Sequence, residues 1–65
     1  MSNLKRIREE RNVSQAKLAE ATGISLRSIQ AYEQNQRDIN KVQGATLLTL
    51  ANALDCKIED LLETT

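Results

Sequence analysis

The chain has 65 residues, 40% hydrophobic and 28% charged, with nine basic and nine acidic side chains that cancel to a formal charge of zero. One cysteine and no histidine exclude a His/Cys metal site and an intramolecular disulfide, no apolar run approaches the ~18 residues of a membrane span, and the N-terminal residues lack the apolar block of a signal peptide. A chain this short buries roughly 60% of its unfolded surface, so the expectation is one compact domain in a reducing, cytoplasmic setting.

Net charge hides an asymmetry. Residues 1–41 hold eight basic and five acidic side chains, a net +3, and residues 42–65 hold one basic and four acidic, a net −3. Such a molecule can turn one face to a polyanion and the other away.

The apolar period is helical nearly throughout. Leu4, Ile7 and the aliphatic stem of Arg11 predict a first helix over roughly 3–11, broken at Asn12-Val13. Ser14 is placed to cap a second helix over roughly 15–21 that buries Leu18 and Ala19, with Val13 and Leu18 at hydrophobic-staple spacing. Gly23 supplies a left-handed terminus. Ile24-Ser25 repeats the same logic, and a third helix over roughly 25–34 turns Ile29 and Tyr32 inward. Asn35 is the usual second choice for a left-handed end. Gln34 to Lys41 reads as a loop. A fourth helix over roughly 43–54 aligns Leu47, Leu50, Ala51 and Leu54, and a fifth over roughly 58–63 presents Ile58, Leu61 and Leu62. Thr64-Thr65 is a short tail.

The segment from Gln15 to Gln34, QAKLAEATGISLRSIQAYEQ, is a short helix, a glycine turn and a second capped helix, with small Ala19 at the crossing. That is the layout of a helix-turn-helix, whose second helix fits a major groove about 12 Å wide. The pattern S-Q-x-x-L-A-x-x-x-G-I-S, followed by SIQAYEQ and TLLTLANALDCKIEDLL, resembles the Cro/CI-type phage repressors and their XRE-like bacterial relatives. The resemblance runs from Leu4 to Leu62. It implies an all-α, compact five-helix lambda-repressor-like domain in which helices 2 and 3 form the helix-turn-helix. The sequence departs from the family pattern at Asn35 and Asp55, where glycine is common, at Gly44, where an apolar residue often sits, and at Lys57, a usual Ser or Thr cap. The loop before the fourth helix is longer than the common form and lacks its proline.

By resemblance, Leu26, Arg27 and Ala31 occupy base-contacting positions. Gln30 and Gln34 are placed with them on the outer side of the third helix, Gln30 as a base contact and Gln34 as a phosphate contact. Arg27 can be bidentate to guanine or bind a phosphate, and Leu26 and Ala31 can meet a thymine methyl. Gln15 at the start of the second helix is expected to bind a phosphate, as are Ser25, Ser28, Arg37 and Lys41, Ser25 also serving as a cap. Arg8 and Glu33 match a family ion pair and read as structural. Cys56 reads as a small packed residue, and Asp55, Glu59, Asp60 and Glu63 as a solvated acidic face.

These residues imply a sequence-specific regulator of transcription, bacterial or phage-encoded and acting as a repressor, that binds double-stranded DNA without cofactor, metal or small-molecule substrate. No nucleophile–base pair supports an enzyme. The expected working unit is a weak homodimer on a palindromic site, touching through Ile39 and Val42, with Leu48 or Leu62 in reserve. The competing reading is an antitoxin-like protein-interaction module, for which acids or bulky apolar residues on the outer third helix would argue. Here that side carries Leu, Arg, Gln, Ala and Gln.

Overall fold

The computed structural model describes residues 2–63. It contains α1 (Asn3–Glu10), α2 (Gln15–Thr22), α3 (Leu26–Glu33), a single 3-10 turn (Ile39–Lys41), α4 (Gly44–Ala53) and α5 (Ile58–Leu61), with no strand among the described residues.

Serine starts each of the first three helices. The hydroxyls of Ser2, Ser14 and Ser25 accept from the N–H groups of Lys5, Lys17 and Ser28 at 3.0, 3.0 and 3.1 Å. Each satisfies one orphan donor of the first turn, a cap contributing about 1 kcal/mol. Ser2 is itself buried, a cap that the hydrophobic pattern does not show.

The first four α-helices each end on a left-handed residue. Gly23 closes α2 with φ 73° and donates to the Ala19 carbonyl at 2.9 Å. Behind α1, α3 and α4, Asn12, Asn35 and Asp55 take φ of 58°, 59° and 53°. In each case the left-handed residue and its successor donate back to two carbonyls of the last turn: Asn12 and Val13 to Glu9 and Arg8, Asn35 and Gln36 to Tyr32 and Ala31, Asp55 and Cys56 to Asn52 and Ala51. These are Schellman caps with Asn or Asp in the glycine position.

Leu4, Leu18, Ile29, Leu50, Leu54 and Leu61 are almost fully buried. Each of the five α-helices, or its cap, contributes at least one of them, so the core ties every helix to the others. Val13, Ala19, Ile24, Tyr32 and Cys56 pack against its edge.

Three expectations change. Arg11 is exposed and its stem is not part of the core. It is the C-cap of α1, and its guanidinium donates to the Leu54 and Asp55 carbonyls at 2.9 and 3.2 Å, where a cation meets the negative end of α4. The loop from Gln34 to Lys41 contains the 3-10 turn, capped by Asp38, and Ile39 is only 3% exposed. Ile39 therefore packs under its own loop and is unavailable to a twin. Finally, α5 stops at Leu61, and Glu63 leaves the acidic face to accept from the Asn3 N–H at 2.8 Å, at the start of α1. The Thr64-Thr65 tail lies outside the described residues.

Leu50 is fully buried in the middle of α4. Leu50→Ala should cost about 2–5 kcal/mol, a large share of the roughly 5–15 kcal/mol typical of a domain. Urea unfolding followed by circular dichroism should show a clearly lowered midpoint, and an unchanged midpoint would mean that the side chain is not in the core.

Candidate nucleic-acid interface

The first turn of α3 is built by Ser25. Its hydroxyl donates to Ser28 Oγ at 2.9 Å, and Ser28 Oγ also accepts from Arg37 Nη1 at 3.1 Å. Arg37 thus lies back along α3, although it belongs to the loop beyond it. Asn35 makes this possible. Its left-handed turn reverses the chain, and the N–H groups of Gln36 and Arg37 both reach the Ala31 carbonyl, at 2.8 and 3.3 Å.

The folded-back loop changes the place of Ala31. The helical period puts it on the outer side of the helix, but it is 8% exposed. It forms the floor of a concavity of about 350 Å³ whose walls are Arg27, Gln30, Gln34, Gln36 and Arg37. The lining holds two guanidinium groups, three amides and a methyl, and no carboxylate. The sequence pattern does not point to Gln36. It enters only because the chain reverses at Asn35, and its Nε2 donates to Gln34 Oε1 at 3.1 Å. Leu26 stands beside this wall, 42% exposed.

A second groove, about 480 Å³, adjoins the first through Arg37 and is lined by Tyr32, Asp38, Lys41, Val42, Gln43 and Thr46. Lys41 opens here rather than beside Arg27. Of the ten residues expected to touch DNA, five (Arg27, Gln30, Ala31, Gln34 and Arg37) line the first concavity and Ser28 is bonded to Arg37. Ser25 and Leu26 flank them at the start of α3, and Lys41 lies in the second groove.

Gln15, the tenth, stands differently. It is not a free first-turn amide. Its Nε2 donates to Glu33 Oε1 at 3.0 Å, and its Oε1 accepts from Gln30 Nε2 at 3.4 Å. Glu33 is held in turn by Arg8, whose Nε and Nη2 donate to the two carboxylate oxygens at 2.6 and 3.1 Å. Arg8 Nη1 donates to the Val13 carbonyl at 2.8 Å. The hydrogen bond that Arg8 donates to Glu33 raises the pKa of the guanidinium, with burial opposing it. The ion pair expected from the resemblance is therefore present and buried, and it extends to the α2–α3 surface through Gln15.

Cys56 is half-buried. Burial pushes its thiol up, Asp60 and Asp55 add to this, and Arg11 opposes it. A thiol held protonated is a packing group rather than a nucleophile. Among the described residues no cluster of His, Cys, Asp or Glu could hold a metal ion, and no helix is long and apolar enough to cross a membrane.

A short α2 joined by a left-handed glycine to an α3 of eight residues, with cations and amides along α3 and the loop after it, defines a helix-turn-helix domain. The chain belongs to the family of Cro/C1-type helix-turn-helix DNA-binding domains, whose model matches residues 3–65. A search of curated proteins found no match.

The Arg8 and Glu33 side chains are 10% and 2% exposed. Arg8→Met alone should cost about 3–5 kcal/mol, because it leaves a buried carboxylate unpaired, whereas Arg8→Met with Glu33→Leu should recover most of the loss. Thermal or urea unfolding of both single variants and the pair checks this, and additive losses would disprove the coupling.

Proposed function

We propose that the protein is a sequence-specific regulator of transcription that places α3 in the major groove of double-stranded DNA and acts as a repressor by occupancy. The observation that carries this is the concavity along α3: two arginines, three glutamines and no acid, in a chain of a DNA-binding family. Arg27, Gln30 and Leu26 are the readers. Ser25, Ser28, Gln34, Arg37 and Lys41 set register on the phosphates. Ala31 adds a methyl only where a base edge enters the concavity deeply. Gln15 offers a phosphate at most its second amide proton, since the first is bonded to Glu33.

The working unit is a homodimer. One reading helix of eight residues covers few base pairs, and single modules of this size offer limited interface. The described residues span 28 × 22 × 22 Å, so two copies side by side can set their α3 helices about one DNA turn, ~34 Å, apart on a palindromic site. With Ile39 buried, Val42, Leu62 and the half-exposed Leu48 are the remaining apolar contacts. A contact so small assembles on DNA rather than before it.

Selection of bound sequences from random duplex DNA is the primary test and should return a palindrome. Sedimentation with the selected duplex should give two chains per site. One chain on an asymmetric site would refute the dimer alone. Affinity should fall with salt at a log–log slope of about −4 to −5 per subunit, as for roughly five phosphates neutralised. A flat response between low and moderate salt would refute DNA binding by charge. Arg27→Ala should cost about 1–3 kcal/mol and relax one base pair, whereas Arg37→Ala should weaken all sequences alike.

A further inference from the structure

The second groove, about 480 Å³, falls in the roughly 300–1,000 Å³ range of small-molecule sites. Its lining is of two kinds. Val42, the ring of Tyr32 and the methyl of Thr46 are apolar, and Val42 and Tyr32 are held in place against the core. Arg37 and Lys41 bring two cations, and Tyr32 and Thr46 add their hydroxyls. Among the described residues the Lys41 ammonium, the Gln43 amide and both hydroxyls have no hydrogen-bond partner, and Arg37 spends only Nη1, on Ser28. The one carboxylate in the lining, Asp38, neutralises neither cation. Its Oδ1 accepts from the Asn40 N–H at 3.0 Å, and the ion pairs among the described residues are Arg6–Glu10 and Arg8–Glu33. Unpaired cations and hydroxyls beside a fixed apolar wall suit an anion that carries an apolar body. A bare phosphate would use the cations and leave the wall in water. A neutral ring would do the reverse.

We propose that this groove binds a small ring-bearing carboxylate and that the bound anion weakens DNA binding. The carboxylate lies on Lys41 and Arg37 and accepts from the Tyr32 and Thr46 hydroxyls, and the ring lies against Val42 and Tyr32. Binding to the groove stands without DNA. The effect on DNA rests on the function proposed above, in which Arg37 and Lys41 neutralise phosphates. A carboxylate on those two groups takes their charge away from the duplex. Arg37 is the link, since it walls both hollows. A ring over Val42 also covers an apolar residue left for the twin, so both effects run in the same direction.

Benzoate is the probe, with inorganic phosphate and benzyl alcohol standing for its two halves. In a titration of the free protein followed by amide NMR shifts, benzoate should give saturable shifts at Tyr32, Arg37, Lys41, Val42 and Thr46. It should bind at least about tenfold tighter than either half, since only it uses both walls. The double variant Tyr32→Phe with Thr46→Val, checked for cooperative melting, keeps the shape of the groove and removes both hydroxyls. It should bind benzoate about tenfold more weakly, the low end for hydrogen bonds to a charged group, and bind DNA as the wild type does. On the selected duplex, saturating benzoate at matched ionic strength should make the log–log salt slope shallower by about 2 per subunit, about 1 for each phosphate contact given up. The benzoate concentration that half-completes this change should rise about tenfold in the double variant. Absence of saturable shifts at these residues overturns the proposal. Phosphate binding as tightly as benzoate would make the groove a phosphate seat only, and benzyl alcohol doing so would make it an apolar patch only; either result overturns it. So does a double variant with unchanged affinity for benzoate. Benzoate bound in the groove with the salt slope unmoved overturns the effect on DNA. Failure of the protein to bind any duplex refutes the DNA function itself, a separate result, and the titration without DNA still decides the groove.

Discussion

Arg8 and Glu33 meet from positions 25 residues apart, and burying either charge without the other is costly. A carboxylate this buried is stable only if its lone pairs are taken, and here three donors take them, two from Arg8 and one from Gln15. The third nitrogen of Arg8 holds the Val13 carbonyl, just before α2. One ion pair therefore fixes α1, the entry to α2 and the end of α3 in a single geometry. The apolar core supplies the attraction between helices, but Leu and Ile contacts tolerate sliding. The bidentate pair does not, because a planar guanidinium and a planar carboxylate match in few orientations. The relation of α2 to α3 is set by this polar lock within an otherwise oily interior.

The fold was legible because its signals are local. Serine before an apolar turn, glycine after one, and leucines at helical spacing each act within a few residues, and all four major helices lie where those signals put them. What escaped is long-range. Arg11 fits an apolar stripe in the sequence, but its guanidinium lies at the end of α4, across 43 residues. Glu63 looked solvated but meets α1. Ile39 looked spare because a polar stretch of sequence gives no sign of folding under itself.

The site divides in the same way. Arg27, Gln30 and Gln34 stand where the helical period puts them, and the family pattern names the Arg8–Glu33 pair. The burial of Ala31 and the place of Gln36 could not be read from period, since both depend on the chain reversing at Asn35. Asn and Asp enter the left-handed region with less strain than other residues bearing a side chain. Three helices here end on them rather than on glycine, so a composition with only two glycines still makes sharp turns. The turn behind α3 carries the most, because it brings Arg37 back to Ser28 and completes the wall opposite Arg27.

The clasp between the two ends of the described chain has its own consequence. Asn3 bonds Leu62 and Glu63, and Glu63 exchanges two hydrogen bonds with Asn40 beside the buried Ile39. The first helix, the loop turn and the last described residues thus close a ring around the core. Linear order along the chain and order in space part company here. A contact spanning 60 residues forms only after a long loop has closed, a cost that grows slowly with length. Once formed, it lets neither end fray by itself, so melting at one terminus releases the other. The ring also makes the topology nearly circular. Residues 3 and 63 could be joined by a short linker and the chain reopened at another loop with the same helices in the same places, leaving the concavity along α3, built from the middle of the sequence, unaware of where the polypeptide starts.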